Sequence, residues 1–281
     1  MTVPALLDLT SILVVQKESA KVILDGRNRR KPSAFAVEVH SDAFADGKRK
    51  CFLKTVGAQY FLLFIDPDCP EFTSDPANTL NFNNECKVNH ALNVHAAETL
   101  LGDRNGPQPA NPLESQMRLE SLGLPFPLCY GYLTVPDPFF QPPRTAPKAK
   151  GKVASPPMVH ALLFQLYEDI CLLDKEDLDD AGTMEDKLFR ALGVIHAAGV
   201  YHRDLEDRAA WPEAKFHNIY LTDAGEIVVL DFDHAQIMRT SKELGRLVEE
   251  AEQIRELVKS AKEQRGRERG WGLSKEVRRL V

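Results

Sequence analysis

The stretch from His202 to Asp233 constrains the fold more than any other part of the chain. It opens His202-Arg203-Asp204-Leu205, passes through an irregular polar segment, and resumes at His217-Asn218-Ile219-Tyr220-Leu221. A turn at Thr222-Asp223-Ala224-Gly225 separates that apolar run from Ile227-Val228-Val229-Leu230, and Asp231-Phe232-Asp233 follows. Two short apolar runs across a glycine-containing turn predict a β-hairpin. Three metal- or proton-handling side chains fall at its edges: Asp204 before it, Asn218 at its entry and Asp231 at its exit. Taken singly, these residues would read as ordinary turn and strand-end groups. Their order around one hairpin argues for a site.

This stretch resembles the catalytic core of the eukaryotic protein kinases, with an H-R-D-L loop, an Asn before a hairpin and an Asp-Phe pair after it. The resemblance is loose over Lys54 to Asp233 and close over Ala197 to Ala235, and it is nearest to the divergent kinase-like proteins of fungi. It implies phosphoryl transfer from ATP, in which Mg²⁺ neutralises the phosphates and a carboxylate orients the attacking hydroxyl. By resemblance Asp231 holds Mg²⁺, Asn218 serves the second metal site, Asp204 is the base and Arg203 buttresses the loop.

Two departures are local. The family places a Lys two residues after the Asp and an Asn shortly beyond it, whereas this chain has Glu206 there and Asn218 much later. Read backwards from the Asn, Lys215-Phe216-His217-Asn218 restores a Lys at the expected distance, so residues Glu206 to Ala214 read as an insertion with Trp211-Pro212 inside it. Lys215 then neutralises the transferred phosphate, with a solvated loop lysine as the alternative. Asp233 stands where the family has Gly, a position at which Gly permits unusual backbone angles.

Upstream, the pattern from Val14 to Phe64 is strand-like: Lys21 to Leu24, then Ala34 to Val39, a turn at Asp46-Gly47, and Cys51 to Val56, with Tyr60 to Ile65 as a further strand. An antiparallel meander is expected. The resemblance makes Lys54 the lysine that contacts the α- and β-phosphates. After a loop from Asp66 to Asn81 a helix is expected over Phe82 to Leu101, and by resemblance its Glu85 is the partner of Lys54, with Glu98 as rival and a solvated helical Glu as the alternative. No G-x-G-x-x-G precedes the lysine; the turn from Asp25 to Arg30 has a single glycine. His90 and His95 lack metal-ligand spacing and read as surface or core histidines.

Leu124 to Leu133 predicts a strand, Pro136 to Pro157 an exposed Pro-, Lys- and Ala-rich insertion, and His160 to Tyr167 a buried strand. By resemblance the end of this last strand is the hinge that pairs with adenine, with Gln165 to Tyr167 as its residues. An acidic helix around Asp174 to Asp180 is expected next. Thr183 then caps a helix with Met184, Leu188, Leu192 and Ile195 on one stripe, and Gly199 ends it. After Asp233 the family's A-P-E segment is absent. Thr240 and Glu243 form a capping box for a long helix with Leu244, Leu247, Val248, Ala251, Ile254, Leu257, Val258 and Ala261 on its apolar side. The basic tail from Arg265 to Val281, with Trp271, reads as a solvated terminus.

Composition narrows the classes. The chain of 281 residues is 43% hydrophobic and 27% charged, as a globular protein is, and its net charge of −6 argues against a nucleic-acid binder. No run approaches a membrane span. Met1 to Val15 is apolar but lacks a basic flank and is interrupted by Asp8, so it reads poorly as a signal peptide. Five scattered cysteines without C-x-x-C spacing read as reduced thiols, which suits an intracellular protein, cytoplasmic or nuclear.

The resemblance thus implies an α+β, bilobal protein-kinase-like fold, with a strand-rich N-lobe over residues 1–167 and a shortened helical C-lobe over 168–281. The expected activity is an ATP-dependent serine/threonine protein kinase using Asp204, Lys215, Lys54, Glu85, Gln165, Tyr167, Asn218 and Asp231, with ATP and Mg²⁺ as cofactors and a protein as acceptor. Two alternatives stand beside it. The missing A-P-E segment favours a small-molecule phosphotransferase of the aminoglycoside or choline kinase type. The missing glycine loop, the inserted catalytic loop and Asp233 favour a pseudokinase that serves as a binding scaffold.

Overall fold

The computed structural model describes residues 7–8, 14–15, 21–22, 34–40, 48–56, 76–100, 119–136, 158–167, 169–207 and 215–270. These contain both helices and strands. One sheet holds seven strands: β1 (Leu7–Asp8), β2 (Val14–Val15), β3 (Lys21–Val22), β4 (Ala34–His40), β5 (Lys48–Val56), β6 (Cys129–Pro136) and β7 (Met158–Gln165). Its order is β1-β6-β7-β5-β4-β2, with β3 also on β4. Only the β1–β6 pair is parallel among these.

The expected meander holds for β3, β4 and β5. The other neighbour of β5 is β7, more than a hundred residues later in the chain, with Lys54 opposite Leu162. This makes β5 a central strand, so its backbone is held on both sides. The anticipated strand at Tyr60 to Ile65 and the insertion beyond Pro136 lie outside the described residues. Strand β6 begins only at Cys129, since the expected strand from Leu124 is broken by a bend at Pro125 and Phe126.

Helix α1 (Pro76–His95) starts inside the stretch expected to be loop and runs on into a π-helical turn, Ala96–Leu100. Proline suits the first helical turn because its missing N–H would have no intrahelical acceptor there. The helix packs against β5, β6 and the segment that follows Asp231. Asn84 Nδ2 donates to Ala235 O at 2.8 Å and Asn93 Nδ2 to Cys129 O at 2.8 Å, which tie its register to both.

In the second half of the chain β8 (Cys171–Leu172) pairs with β10 (Ile219–Leu221), which forms the expected hairpin with β11 (Ile227–Val229). Gly225 sits at φ +72° in the turn, and its N–H donates to Thr222 O at 2.8 Å. The acidic segment is only a 3₁₀ turn, Lys175–Asp177. Asp174 and Asp177 hydrogen-bond the local backbone instead of leaving it free to propagate a helix.

Helix α2 (Thr183–Ala197) buries Leu188, Ala191, Leu192 and Ile195. Thr183 does not cap it. Gly182 occupies the N-cap without a side-chain bond, and the Asp179 carboxylate accepts from Thr183 N at 2.8 Å and Met184 N at 3.1 Å. Gly199 ends the helix at φ +73°, and a Cβ there would stand 3.1 Å from Met238 O. The chain then enters β9 (Val200–Tyr201), which pairs with β12 (Gln236–Ile237). That pairing closes a ring around the His202 and Asp231 segments.

Helix α3 (Ser241–Gly270) starts at the expected capping box: Thr240 N donates to Glu243 Oε2 at 2.9 Å, and Glu243 N donates to Thr240 Oγ1 at 3.3 Å. Its buried stripe runs through Leu247, Glu250, Ile254, Leu257, Val258 and Ala261. At 3.6 residues per turn Leu244 and Val248 fall to one side of that stripe and are exposed, contrary to expectation. The helix also takes in the start of the expected solvated tail. Arg265 is buried and paired with Asp180, while Lys262 reaches Glu185 at 2.5 Å and Lys175 reaches Glu268 at 2.6 Å. Trp271 and the rest of the tail lie outside the described residues.

One core cluster runs from Cys51 and Leu53 through Leu92, Phe126, Leu192 and Phe232 to Ala261. No helix among the described residues is long and apolar enough to cross a membrane.

Candidate functional site

Lys54 projects from the central strand β5 and is only 13% exposed. Its Nζ donates to Glu85 Oε1 at 2.7 Å and to Asp231 Oδ1 at 2.5 Å. These partners lie 31 and 177 positions away in sequence. Of the two helical glutamates considered for Lys54, Glu85 is the one in contact. Burial alone would depress the lysine pKa, but the Glu85, Asp231 and Asp233 carboxylates outweigh it and hold it above the ordinary lysine range. Burial raises Glu85, with Lys54 acting against it. Desolvation by the surrounding chain opposes charge on Asp231, although its side chain is still 43% exposed, and the Lys54 ammonium outweighs it and lowers the Asp231 pKa.

The loop between β9 and Asp204 is held by a residue with no role in the sequence reading. Glu250, buried on α3, accepts from His202 N at 3.2 Å and Arg203 N at 2.6 Å, and lies 2.8 Å from His196 Nε2. Arg203 adopts φ +73°, which is costly for a residue with a Cβ, by about 1–3 kcal/mol. A carboxylate across consecutive N–H groups offsets such strain with charge-assisted hydrogen bonds. The sequence signal was available: Glu250 occupies a place in the apolar stripe of α3.

His202 is fully buried. Its Nε2 lies 2.9 Å from Leu230 O, and its ring is 4.8 Å from that of Phe232. Burial lowers its pKa, so the ring is neutral, with the proton on the nitrogen that faces the carbonyl. This contact ties the first segment of the motif to the last.

Asp204 and Asn218 are also brought together. Asn218 Nδ2 donates to Asp204 O at 3.0 Å and to Asp204 Oδ2 at 3.1 Å. His217 Nδ1 lies 3.2 Å from the same Oδ2. The inserted loop is carried on a narrow antiparallel stalk: Glu206 bridges Phe216, Asp207 N donates to Lys215 O at 3.0 Å, and His217 N donates to Leu205 O at 3.0 Å. Phe216 is buried and anchors the stalk, while Lys215 is exposed on its returning arm. Residues 208–214, including Trp211 and Pro212, lie outside the described residues.

Arg203, Asn218 and Asp231 are three of the four non-glycine residues with positive φ among those described; Asp169 is the fourth. Asn and Asp tolerate this region better than other residues, and such conformations concentrate where side chains must be aimed. Asp233 follows within a 3₁₀ turn, Phe232–His234. Its Oδ1 is buried without a hydrogen-bond partner, and burial with the neighbouring Asp231 charge raises its pKa.

Gln165 and Tyr167 lie at the far end of β7. Of the backbone from Gln165 to Tyr167, expected by resemblance to form the hinge, the Gln165 N–H donates to Leu128 O at 2.9 Å, and the Tyr167 OH donates to Leu124 O at 3.2 Å. Both residues therefore brace the 124–128 segment.

Among the described residues no group of three or more His, Cys, Asp or Glu side chains is arranged to hold a metal ion alone. The donor chemistry at Asp231 and Asn218 still suits a hard cation. Asn218 turns its amide nitrogen to Asp204, leaving its carbonyl oxygen for another partner, and Asp231 uses Oδ1 for Lys54. Mg²⁺ commonly takes only one or two protein oxygens and completes its shell with phosphate and water.

No protein-family model matches the chain. No curated protein matches it either.

Proposed function

We propose that the chain is an ATP-dependent phosphotransferase of bilobal, protein-kinase-like build, transferring the γ-phosphoryl group to a serine or threonine hydroxyl of a protein. The seven-stranded sheet with α1 is the N-lobe, and α2, the small sheets and α3 are the shortened C-lobe. One observation carries the reading: Lys54 reaches Glu85 at 2.7 Å and Asp231 at 2.5 Å from a different part of the chain each time. A lysine braced by a helical carboxylate beside a metal-holding carboxylate is what charge neutralisation of a triphosphate requires.

In this reading Lys54 binds the α- and β-phosphates and Glu85 aims it. Asp231 and Asn218 hold Mg²⁺, which when bound supplies charge neutralisation at the phosphates. Asp204 accepts the proton of the acceptor hydroxyl, and Lys215 approaches the transferred phosphate. ATP as substrate accords with an intracellular location.

A small-molecule acceptor is the second reading. Only residues 232–240, with the turn Phe232–His234 and the two-residue strand β12, lie between Asp231 and Ser241, where α3 begins. A peptide acceptor in the protein kinases lies along a segment at this point, and little chain is present here to hold one.

The test is thermal unfolding with and without MgATP, on the wild type and on Asp231→Ala. A ligand at about a hundred times its Kd adds about 2.7 kcal/mol to stability. A magnesium-dependent rise of several degrees that is lost in Asp231→Ala supports the reading. No rise at saturating nucleotide sinks both phosphotransferase readings and leaves a nucleotide-free scaffold.

A further inference from the structure

His217 stands against Asp204 with no role in the reading above, and its place is set by backbone. His217 N donates to Leu205 O at 3.0 Å, and the preceding Phe216 is buried. The imidazole itself is 46% exposed and Asp204 is 32% exposed, so neither needs the other for solvation. Yet Nδ1 lies 3.2 Å from Asp204 Oδ2, the oxygen that also accepts from Asn218 Nδ2 at 3.1 Å. The side-chain contacts of the Asp204 carboxylate thus converge on a single oxygen.

A carboxylate held by one donor turns readily, because the terminal torsion of Asp is broad. Asn218 donates to that oxygen and His217 Nδ1 lies within ion-pair distance of it; a second donor there would define the carboxylate plane and aim the second oxygen. We propose that His217 is a positioning residue for Asp204: its Nδ1–H joins the Asn218 amide on Oδ2 and leaves Oδ1 facing the acceptor. Oδ1 then takes the hydroxyl proton as the hydroxyl oxygen bonds to the γ-phosphorus. The bond from that phosphorus to the bridging oxygen breaks, and its electron pair departs with ADP. The inference rests on Asp204 being the base of the proposed reaction.

The test compares His217→Ala, His217→Asn and His217→Gln. Asn can place an amide nitrogen near the position of Nδ1, whereas Gln reaches towards that of Nε2. In His217→Ala kcat should fall by about 10- to 100-fold, within the range that positioned proton transfer contributes. The KM for MgATP should stay within about twofold, because the nucleotide contacts are elsewhere. His217→Asn should recover most of kcat and His217→Gln should not. Unchanged kcat in His217→Ala, or a loss confined to KM, overturns the proposal.

A second measurement does not need turnover. Nitrogen-15 NMR of the His217 ring should show the Nδ1–H tautomer in the wild type, shifting towards Nε2–H in Asp204→Ala. An Nε2–H tautomer in the wild type overturns the positioning role even if the protein turns over ATP. A wild type that neither binds MgATP nor turns it over overturns the phosphotransferase reading itself, and the inference with it.

Discussion

At one end of the candidate site, Lys54, Glu85 and Asp231 come from three distant parts of the chain, and Lys54 and Glu85 are almost sealed from solvent. At the other end, Asp204, His217 and Asn218 come from a single loop, and Asp204 and His217 stand half-exposed. The first group owes its geometry to the whole fold: the central place of β5, the packing of α1, and the ring closed by β9 and β12. The second owes it to a few backbone hydrogen bonds along a short stalk. The buried charges of Lys54 and Glu85 should be strongly coupled to stability, whereas Asp231, 43% exposed, and the half-exposed Asp204 and His217 should matter less to folding. A site divided in this way can keep its buried end rigid while its exposed end is free to diverge.

The largest expected effect comes from removing the cation that joins the sealed cluster. Lys54→Met leaves Glu85 buried without its partner and should cost about 3–5 kcal/mol, read by urea unfolding. The same change should leave the His217 ring resonances in place. If they shift as strongly as those near Glu85, the two ends are not separate. Replacing Lys54 and Glu85 together by Met and Leu should recover much of the loss, since a packed apolar pair avoids the desolvation of two charges.

Glu250→Ala is next. It strips the acceptor from two backbone N–H groups and from His196, and should cost about 2–4 kcal/mol. Because the loop it holds is strained at Arg203, the loss should appear in hydrogen exchange at residues 202–204 before it appears in the seven-stranded sheet. Glu250→Gln retains one acceptor oxygen and should lose less.

A smaller effect is the pH dependence set by His202. Its folded pKa lies below the unfolded value because burial disfavours the charged ring, so the unfolded chain binds the extra proton. The stability this provides is complete above about pH 6.5 and declines as pH falls below it, by at most about 1.4 kcal/mol per pH unit. His202→Leu should flatten that slope in unfolding curves taken between about pH 5 and pH 7. The smallest effect is on the open end: His217→Ala should change stability by less than about 0.5 kcal/mol, as surface substitutions usually do. A larger loss would mean that the stalk depends on the imidazole.

Much of this arrangement was legible in local sequence. The β10–β11 hairpin follows from two apolar runs around Thr222 to Gly225, α2 from its stripe, and the start of α3 from the Thr240–Glu243 box, because each is decided by neighbours a few residues apart. The resemblance puts the partner of Lys54 early in a helix expected from Phe82; the helix starts at Pro76, so Glu85 lies in its middle, and it is still Glu85 that Lys54 meets. Local reading failed where a distant group decided the outcome. Asp179 caps α2 in place of Thr183, β7 joins β5 from more than a hundred residues away, and Arg265 is drawn from an expected tail into a pair with Asp180. The role of Glu250 was readable only in part. Its position in an apolar stripe marks it as buried, but nothing near it in sequence shows that the buried carboxylate meets the amides of His202 and Arg203.

By itself, then, the sequence determined which residues are available for chemistry and which short elements carry them, since hairpin turns, caps and apolar periodicity act over a few residues. Only the tertiary structure decided which of those residues meet. Lys54 finds Asp231 across 177 positions because sheet and helix packing bring them together, and His217 finds Asp204 because the stalk pairs in one register and not another. The energy that selects these contacts is the burial of a core that draws on distant parts of the described residues, and no local stretch contains it.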